Sequence, residues 1–256
     1  MRTTSTTCSA TSARSAVNGP GRLFDRAVVV IPAHNEADHL PSSVRAVLAA
    51  AACLPLPVAV VVVLDGCDDG SAALAGQFGS DVHVVAIDAR NVGAARAAGF
   101  SYARTLCEAI DDARIWYATT DAYSVVDSDW LVRQTGADAD MVLGVVRIAT
   151  WREFPAAATR RYLAAYRLKP RRDSHEHVHG ANMGFRADSY WRVGGFAALA
   201  SGEDVDLAAR FEAAGLRIVR DAQLSVLTSR RQVGRAPDGF AAHLRSLLVR
   251  GRAEPA

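Results

Sequence analysis

The sequence predicts an α/β protein with a mostly parallel sheet flanked by helices. Three observations lead there. Continuously apolar runs recur at 27–31, 58–64, 82–87 and 115–119, too short for helices and rich in Val and Ile. Segments with helical periodicity or Ala-rich composition separate them, notably 38–52 and 92–110. Strands apolar on both faces are those of parallel sheets covered by crossover helices, joined as right-handed βαβ units.

The elements follow in order. Residues 1–25 are rich in Ser and Thr and read as a flexible tail. Strand 27–31 ends at Pro32, and helix 38–52 precedes a Pro55/Pro57 break. Strand 58–64 leads to a short helix near 71–78, then strand 82–87. Asn91 is suited to cap the long helix 92–110. Strands at 115–119 and 141–148 complete the first half, which spans 26–150. In the second half, 151–256, helices are expected at 151–167, 204–214 and 240–249. A polar loop at 169–180, a short apolar segment at 182–185 and a strand at 216–219 lie between them. No linker separates the halves, so both are expected in one domain, the second extending the sheet.

Composition narrows the function. Half of the 256 residues are hydrophobic, enough for a sizeable core and against wholesale disorder. A net charge of +2, from 29 basic and 27 acidic residues, gives no reason to expect a nucleic-acid partner. Four cysteines without a CxxC pair argue against a disulfide scaffold or zinc ribbon and for a reducing compartment. The longest apolar stretch, 46–64, is cut by two prolines, so no integral membrane segment is expected. The N-terminus lacks the apolar core of a secretory signal, and a cytoplasmic location is the expectation.

The unusual polar residues fall after the predicted strands. These are Pro32-Ala33-His34-Asn35-Glu36, Asp65 to Ser71, Arg90 to Arg96, and Thr119-Thr120-Asp121-Ala122-Tyr123. In an open parallel sheet, ligands bind outside the carboxyl ends of the strands. Each loop alone also reads as helix caps and turns; all four on one edge point to a site. No GxGxxG follows the first strand, which disfavours a dinucleotide oxidoreductase.

Together these motifs resemble family-2 glycosyltransferases of the GT-A fold, whose sheet is Rossmann-like. VVVIPAHNE (28–36) is similar to the opening motif, VVVLDGCDDGS (61–71) to the nucleobase-contacting one and NVGAARAAG (91–99) to the third. Thr119 to Ser124 occupies the place of the metal-binding Asp-x-Asp. GANMGFRADSYWRVGGF (180–196) resembles the acceptor-side segment, and Gly202-Glu203-Asp204 the catalytic Glu-Asp motif. The resemblance implies that Pro32, Ala33, Asn35 and Glu36 shape a nucleoside pocket. Asp65 would bind base or ribose, Arg96 base or phosphate, and Thr120, Asp121, Ala122 and Tyr123 the ribose and diphosphate. Gly180, Ala181 and Asn182 would line the sugar and acceptor site, with Trp191 an acceptor contact. Asp204, beside Glu203, would be the general base of an inverting transfer from a nucleotide sugar, a UDP-sugar favoured, to an unidentified hydroxyl acceptor.

The reaction's own demands agree. Positive charge must stabilise the departing diphosphate, and a carboxylate must take the acceptor's proton. Glu203 and Asp204 precede a predicted helix, whose N-terminal dipole favours carboxylates.

One position departs from the pattern: Tyr123 stands where the family has a second Asp. A phenol is a poorer ligand for Mn2+ or Mg2+ than a carboxylate. Three readings stay open here: a divalent cation held by Asp121 with other groups such as His179, a diphosphate neutralised by arginines, or a catalytically silent nucleotide-sugar-binding protein. Arg230, Arg231 and Arg235 read as phosphate contacts or as a solvated cluster. His175, His177 and His179 alternate, which places them on one face of an extended chain.

Overall fold

A computed structural model describes residues 24–148 and 175–228. The expected helices at 151–167 and 240–249, and Arg230, Arg231 and Arg235, lie outside the described residues.

Eight strands form one sheet: β1 Arg26–Ala33, β2 Val58–Asp65, β3 Val82–Ile87, β4 Ile115–Thr119, β5 Ser124–Val126, β6 Met141–Ile148, β7 Met183–Arg186 and β8 Ile218–Thr228. Their spatial order is β3-β2-β1-β4-β7-β6-β8-β5. The β3-β2-β1-β4 block is parallel throughout. β7 then runs antiparallel to both β4 and β6, β6 and β8 are parallel, and β5 returns antiparallel to β8. The sheet is thus mixed and mostly parallel.

Among the described residues, five α-helices accompany it: α1 Leu40–Ala52, α2 Val92–Leu106, α3 Trp130–Thr135, α4 Ala187–Arg192 and α5 Glu203–Ala213. α1 begins with Pro41 in its first turn, where the missing N–H costs nothing. Asn91 caps α2 as expected, its side-chain oxygen accepting from the Ala94 amide at 2.8 Å. α2 ends at Leu106, four residues before the predicted limit, because the backbone tightens at Cys107. The expected helix at 71–78 is only a single 3-10 turn, Ser71–Leu74.

The core has two layers, one on each sheet face. Val29, Ile31, Val60 and Val62 pack beneath Val44 and Val47 of α1. Val28, Val30, Val61 and Val63 pack on the opposite side with Ala95, Phe100 and Ala103 of α2. Alternation along fully apolar strands therefore feeds both layers, as the run of buried residues in β1 and β2 required. Gly99 lets α2 approach closely, since a Cβ there would lie 2.4 Å from a Val30 methyl. Phe100, Phe185, Tyr190 and Phe196 form an aromatic cluster that joins α2 to the second half.

Candidate active site

Strand register aligns the site. Asp65 ends β2 opposite Ile87, Ala33 pairs with Leu64, and Val30 pairs with Thr119. The loops after β1, β2, β3 and β4 therefore leave the sheet on the same edge.

The first two loops are tied together. Asn35 takes a left-handed conformation, φ 52°, which its short side chain tolerates. Its amide group exchanges two hydrogen bonds with Asp68, 2.6 Å from Nδ2 to Oδ1 and 2.8 Å from the Asp68 N–H to Asn35 Oδ1. Asp69 accepts from the Ala37 amide at 2.7 Å and from the Ser71 amide at 3.0 Å. Cys67 bridges the same loops through the Asn35 amide and the Ala33 carbonyl. Glu36 is buried, and its backbone carbonyl accepts from His39 and Leu40 at the head of α1.

Asp65, of which a base or ribose contact is expected, is bonded to the protein's own backbone. It is buried, with Oδ1 accepting from the Ala89 and Arg90 amides and Oδ2 from the Asn91 amide, each at 2.7 Å. The carboxylate thus fixes the turn that starts α2. A charged acceptor for three amides is a strong local determinant of backbone shape.

Arg96 is the centre of the arrangement. It projects from the first turns of α2, is 3% exposed, and its guanidinium reaches two carboxylates. Nη2 donates to Asp121 Oδ1 at 2.9 Å, just after β4, and Nη1 donates to Glu203 Oε1 at the start of α5. The Phe196 ring lies 5.4 Å from Cζ, a cation–π distance. Gly180 backs the guanidinium: a Cβ there would sit 2.5 Å from Nη2. Burial works against the charge, but Asp121, Glu203 and Asp204 outweigh it and raise the Arg96 pKa. Glu203, expected beside Asp204 in catalysis, is instead buried as the partner of Arg96.

Asp204 is half-buried and points elsewhere. Its Oδ2 accepts from the Gly180 amide at 2.7 Å and its Oδ1 from the Val205 amide at 2.8 Å. It sits in the first turn of α5 with Glu203 and Asp206, where the unpaired amides favour negative charge. Each carboxylate oxygen keeps a lone pair beyond these bonds.

Asp121 and Tyr123 form a pair. Burial pushes the Asp121 carboxyl up, against the lowering effects of Arg96 and of the Tyr123 hydroxyl. The Asp121 charge, then burial and their shared hydrogen bond, push the Tyr123 phenol well above its ordinary value. Glu36 adds to that rise, so it belongs to the same cluster. Pro32, Ala33, Thr120 and Ala122 are buried around these groups. The Thr119 and Thr120 hydroxyls are buried without a partner among the described residues.

On the acceptor side, Asn182 and Trp191 both have partners within the protein. Asn182 is fully buried, and its side chain is spent within the protein. Nδ2 donates to the Val145 and Leu224 carbonyls at 2.9 Å each, and Oδ1 accepts from Trp130 Nε1 at 2.8 Å. It knots β6, β8 and α3 together. Trp191 packs over Arg104, 4.8 Å from its Cζ, and against Tyr117 and Tyr190. Arg104 is eight residues along α2 from Arg96, about 12 Å away along the helix axis. Ala181 is buried beside Gly180.

The three histidines do share a face. His175 and His177 stack at 5.8 Å, as do His177 and His179. Among the described residues, no three His, Cys, Asp or Glu side chains converge as a metal site. The position of Tyr123 bears on the same point. Asp121 already receives Arg96 and Tyr123, and a divalent ion on its carboxylate would lie roughly 5 Å from the guanidinium. At an effective dielectric near 20 that repulsion is about 7 kcal/mol. A single carboxylate so engaged does not fit a resident Mn2+ or Mg2+, which prefers several oxygen ligands.

A mixed α/β sheet with this cluster at its carboxyl edge has the GT-A architecture. It is similar to Staphylococcus aureus TarS 1–349 in complex with UDP-GlcNAc, at 14% identity and TM-score 0.59, over 84% of this chain and 61% of that one. It is also similar to the mannosyltransferase PcManGT from Pyrobaculum calidifontis in complex with GDP-Man and Mn2+, at 17% identity and TM-score 0.61, over 94% and 68%. The chain thus spans 61% and 68% of the lengths of these two structures. No curated protein matches the sequence. The profile of Glycosyl transferase family 2 matches residues 28–194, and the chain belongs to this family of glycosyltransferases. No helix among the described residues is long and apolar enough to cross a membrane.

Proposed function

We propose that this chain transfers a sugar from a nucleoside-diphosphate donor, with a UDP-sugar favoured, to a hydroxyl acceptor with inversion. The observation that carries this reading is the convergence of Asp121, Arg96, Glu203 and Asp204. They come from three separate segments and meet at the sheet edge where such folds bind ligands. The loops bearing Asn35, Glu36 and Asp65 frame the donor side. Asp204 serves as general base: its orientation is fixed by the Gly180 amide, and its free lone pairs take the acceptor's proton as the hydroxyl attacks the anomeric carbon. Arg96 supplies fixed positive charge for the diphosphate that departs from the opposite face. Glu203 positions Arg96.

The test pairs binding with turnover. A nucleotide that binds the folded state raises the melting temperature, by an amount set by its concentration over Kd. UDP- and GDP-sugars should be screened this way, and the best donor used in a hydrolysis or transfer assay. Asp204→Asn should lower kcat by about a thousandfold, within the usual range for a lost general base, with donor Kd within about twofold of wild type. Full turnover in that variant removes Asp204 from the base role.

Tyr123 favours a second reading, a catalytically silent nucleotide-sugar-binding protein. Donor binding without hydrolysis or transfer across the panel would support it.

A further inference from the structure

We propose that this chain binds the nucleoside-diphosphate part of its donor without a divalent cation, with the Arg96 guanidinium as the fixed positive charge beside Asp121. The inference rests on the donor-binding reading above and adds to it how charge is balanced there.

Three features carry it. The first is occupancy: Arg96 lies 2.9 Å from Asp121 Oδ1, so a positive group already stands at the carboxylate where the family resemblance would put the ion. That guanidinium is held in place by Glu203, by the face of Phe196, and by Gly180, which has no Cβ to displace it. The second is ligand type. Tyr123 offers Asp121 a hydroxyl hydrogen bond, and an ordinary phenol is neutral at pH 7. A hard cation loses there the carboxylate that an Asp-x-Asp sequence would give it. The third is spare capacity. A guanidinium carries five N–H donors, and Arg96 Nε is buried without a partner among the described residues.

The sign of the cluster is the counter-argument, because Asp121, Glu203 and Asp204 outnumber one arginine. Two of the three are paired to that arginine. The third, Asp204, faces the acceptor side, where the Gly180 and Val205 amides and the head of α5 offset its charge. The charge of Asp204 still reaches Asp121 and Arg96, but each of the three carboxylates already has a donor within the protein.

Titration calorimetry of wild-type protein with UDP and with GDP, in excess EDTA and in saturating Mn2+ or Mg2+, tests the proposal. For whichever nucleotide binds, the two Kd values should agree within about threefold. Tightening by about tenfold or more with either ion overturns the proposal while leaving donor binding intact. Tyr123→Asp should gain such a dependence, about tenfold with Mn2+, and Tyr123→Phe should remain independent of it. A Tyr123→Asp protein that binds UDP equally with and without Mn2+ also counts against it, because the tyrosine then does not decide the matter. Absence of binding by any nucleotide under either condition overturns the donor-site reading itself, and this inference with it.

Discussion

Residues in this molecule are defined by what they are already bonded to. Arg96 is a charged side chain at 3% exposure, a state tolerated because two carboxylates and a ring face satisfy it. Its partners lie 25 and 107 positions away in the chain, so its bridging role leaves no local pattern. His175 shows the opposite case, a titratable group held neutral. Burial lowers its pKa below the ordinary value, while Nε2 lies 3.1 Å from the Leu143 carbonyl. The folded state then binds fewer protons than the unfolded one between that lowered value and about 6.5. Stability contributed by His175 is therefore complete above this window and is lost as pH falls through it, at up to about 1.4 kcal/mol per pH unit. Urea midpoints measured from about pH 7 to 5 should fall less steeply in His175→Gln than in wild type. Parallel curves would show that another group carries the acid sensitivity.

Elements explain why parts of this fold were readable and others not. β1, β2, β4 and β6 were legible to within a residue or two because strands buried on both faces must be continuously apolar. β8 was read as four residues, 216–219, yet covers eleven, Ile218–Thr228. Arg220, Asp221 and Gln223 interrupt its apolar run, and its register with β6 shifts between Leu143 and Val145, so neither period nor length announced it. β5, three residues long, and α4, six, are too short to show a period. At the site, the motifs placed the loops correctly but could not distinguish a residue facing the cleft from one supporting it. Asp65 and Glu203 turned inward to hold backbone and arginine. Asn182, in the acceptor-side motif, became the tie between β6, β8 and α3. No sequence signal linked it to Trp130, nor Phe196 to Arg96. Asn182→Ala would leave the Val145 and Leu224 carbonyls and the Trp130 N–H buried without this partner. Each such group costs about 1–3 kcal/mol, so a loss of roughly 3 kcal/mol or more is expected in chemical denaturation. A variant of unchanged stability with a raised acceptor KM would return Asn182 to the acceptor site.

At the scale of the whole molecule, the two sequence halves are interleaved through the sheet. β7, from the second half, is hydrogen-bonded between β4 and β6 of the first. β8 is likewise paired on one side with β6 and on the other with β5. Removing the second half would expose edges of β4, β5 and β6 together, and of the aromatic cluster of Phe100, Phe185, Tyr190 and Phe196 only Phe100 would remain. The site has the same dependence, since Arg96 and Asp121 come from one half and Glu203 and Gly180 from the other. No cut near residue 150 leaves two self-sufficient cores, so the halves should unfold together. In a Trp151→Phe/Trp191→Phe protein, the remaining Trp116 and Trp130 report on the first half, while far-UV circular dichroism reports on all elements. Their urea transitions should coincide, and a saturating donor nucleotide should move both midpoints upward by the same amount. A tryptophan transition displaced from the dichroism transition, or a nucleotide shift confined to one probe, would mean that the first half folds and binds without its partner strands.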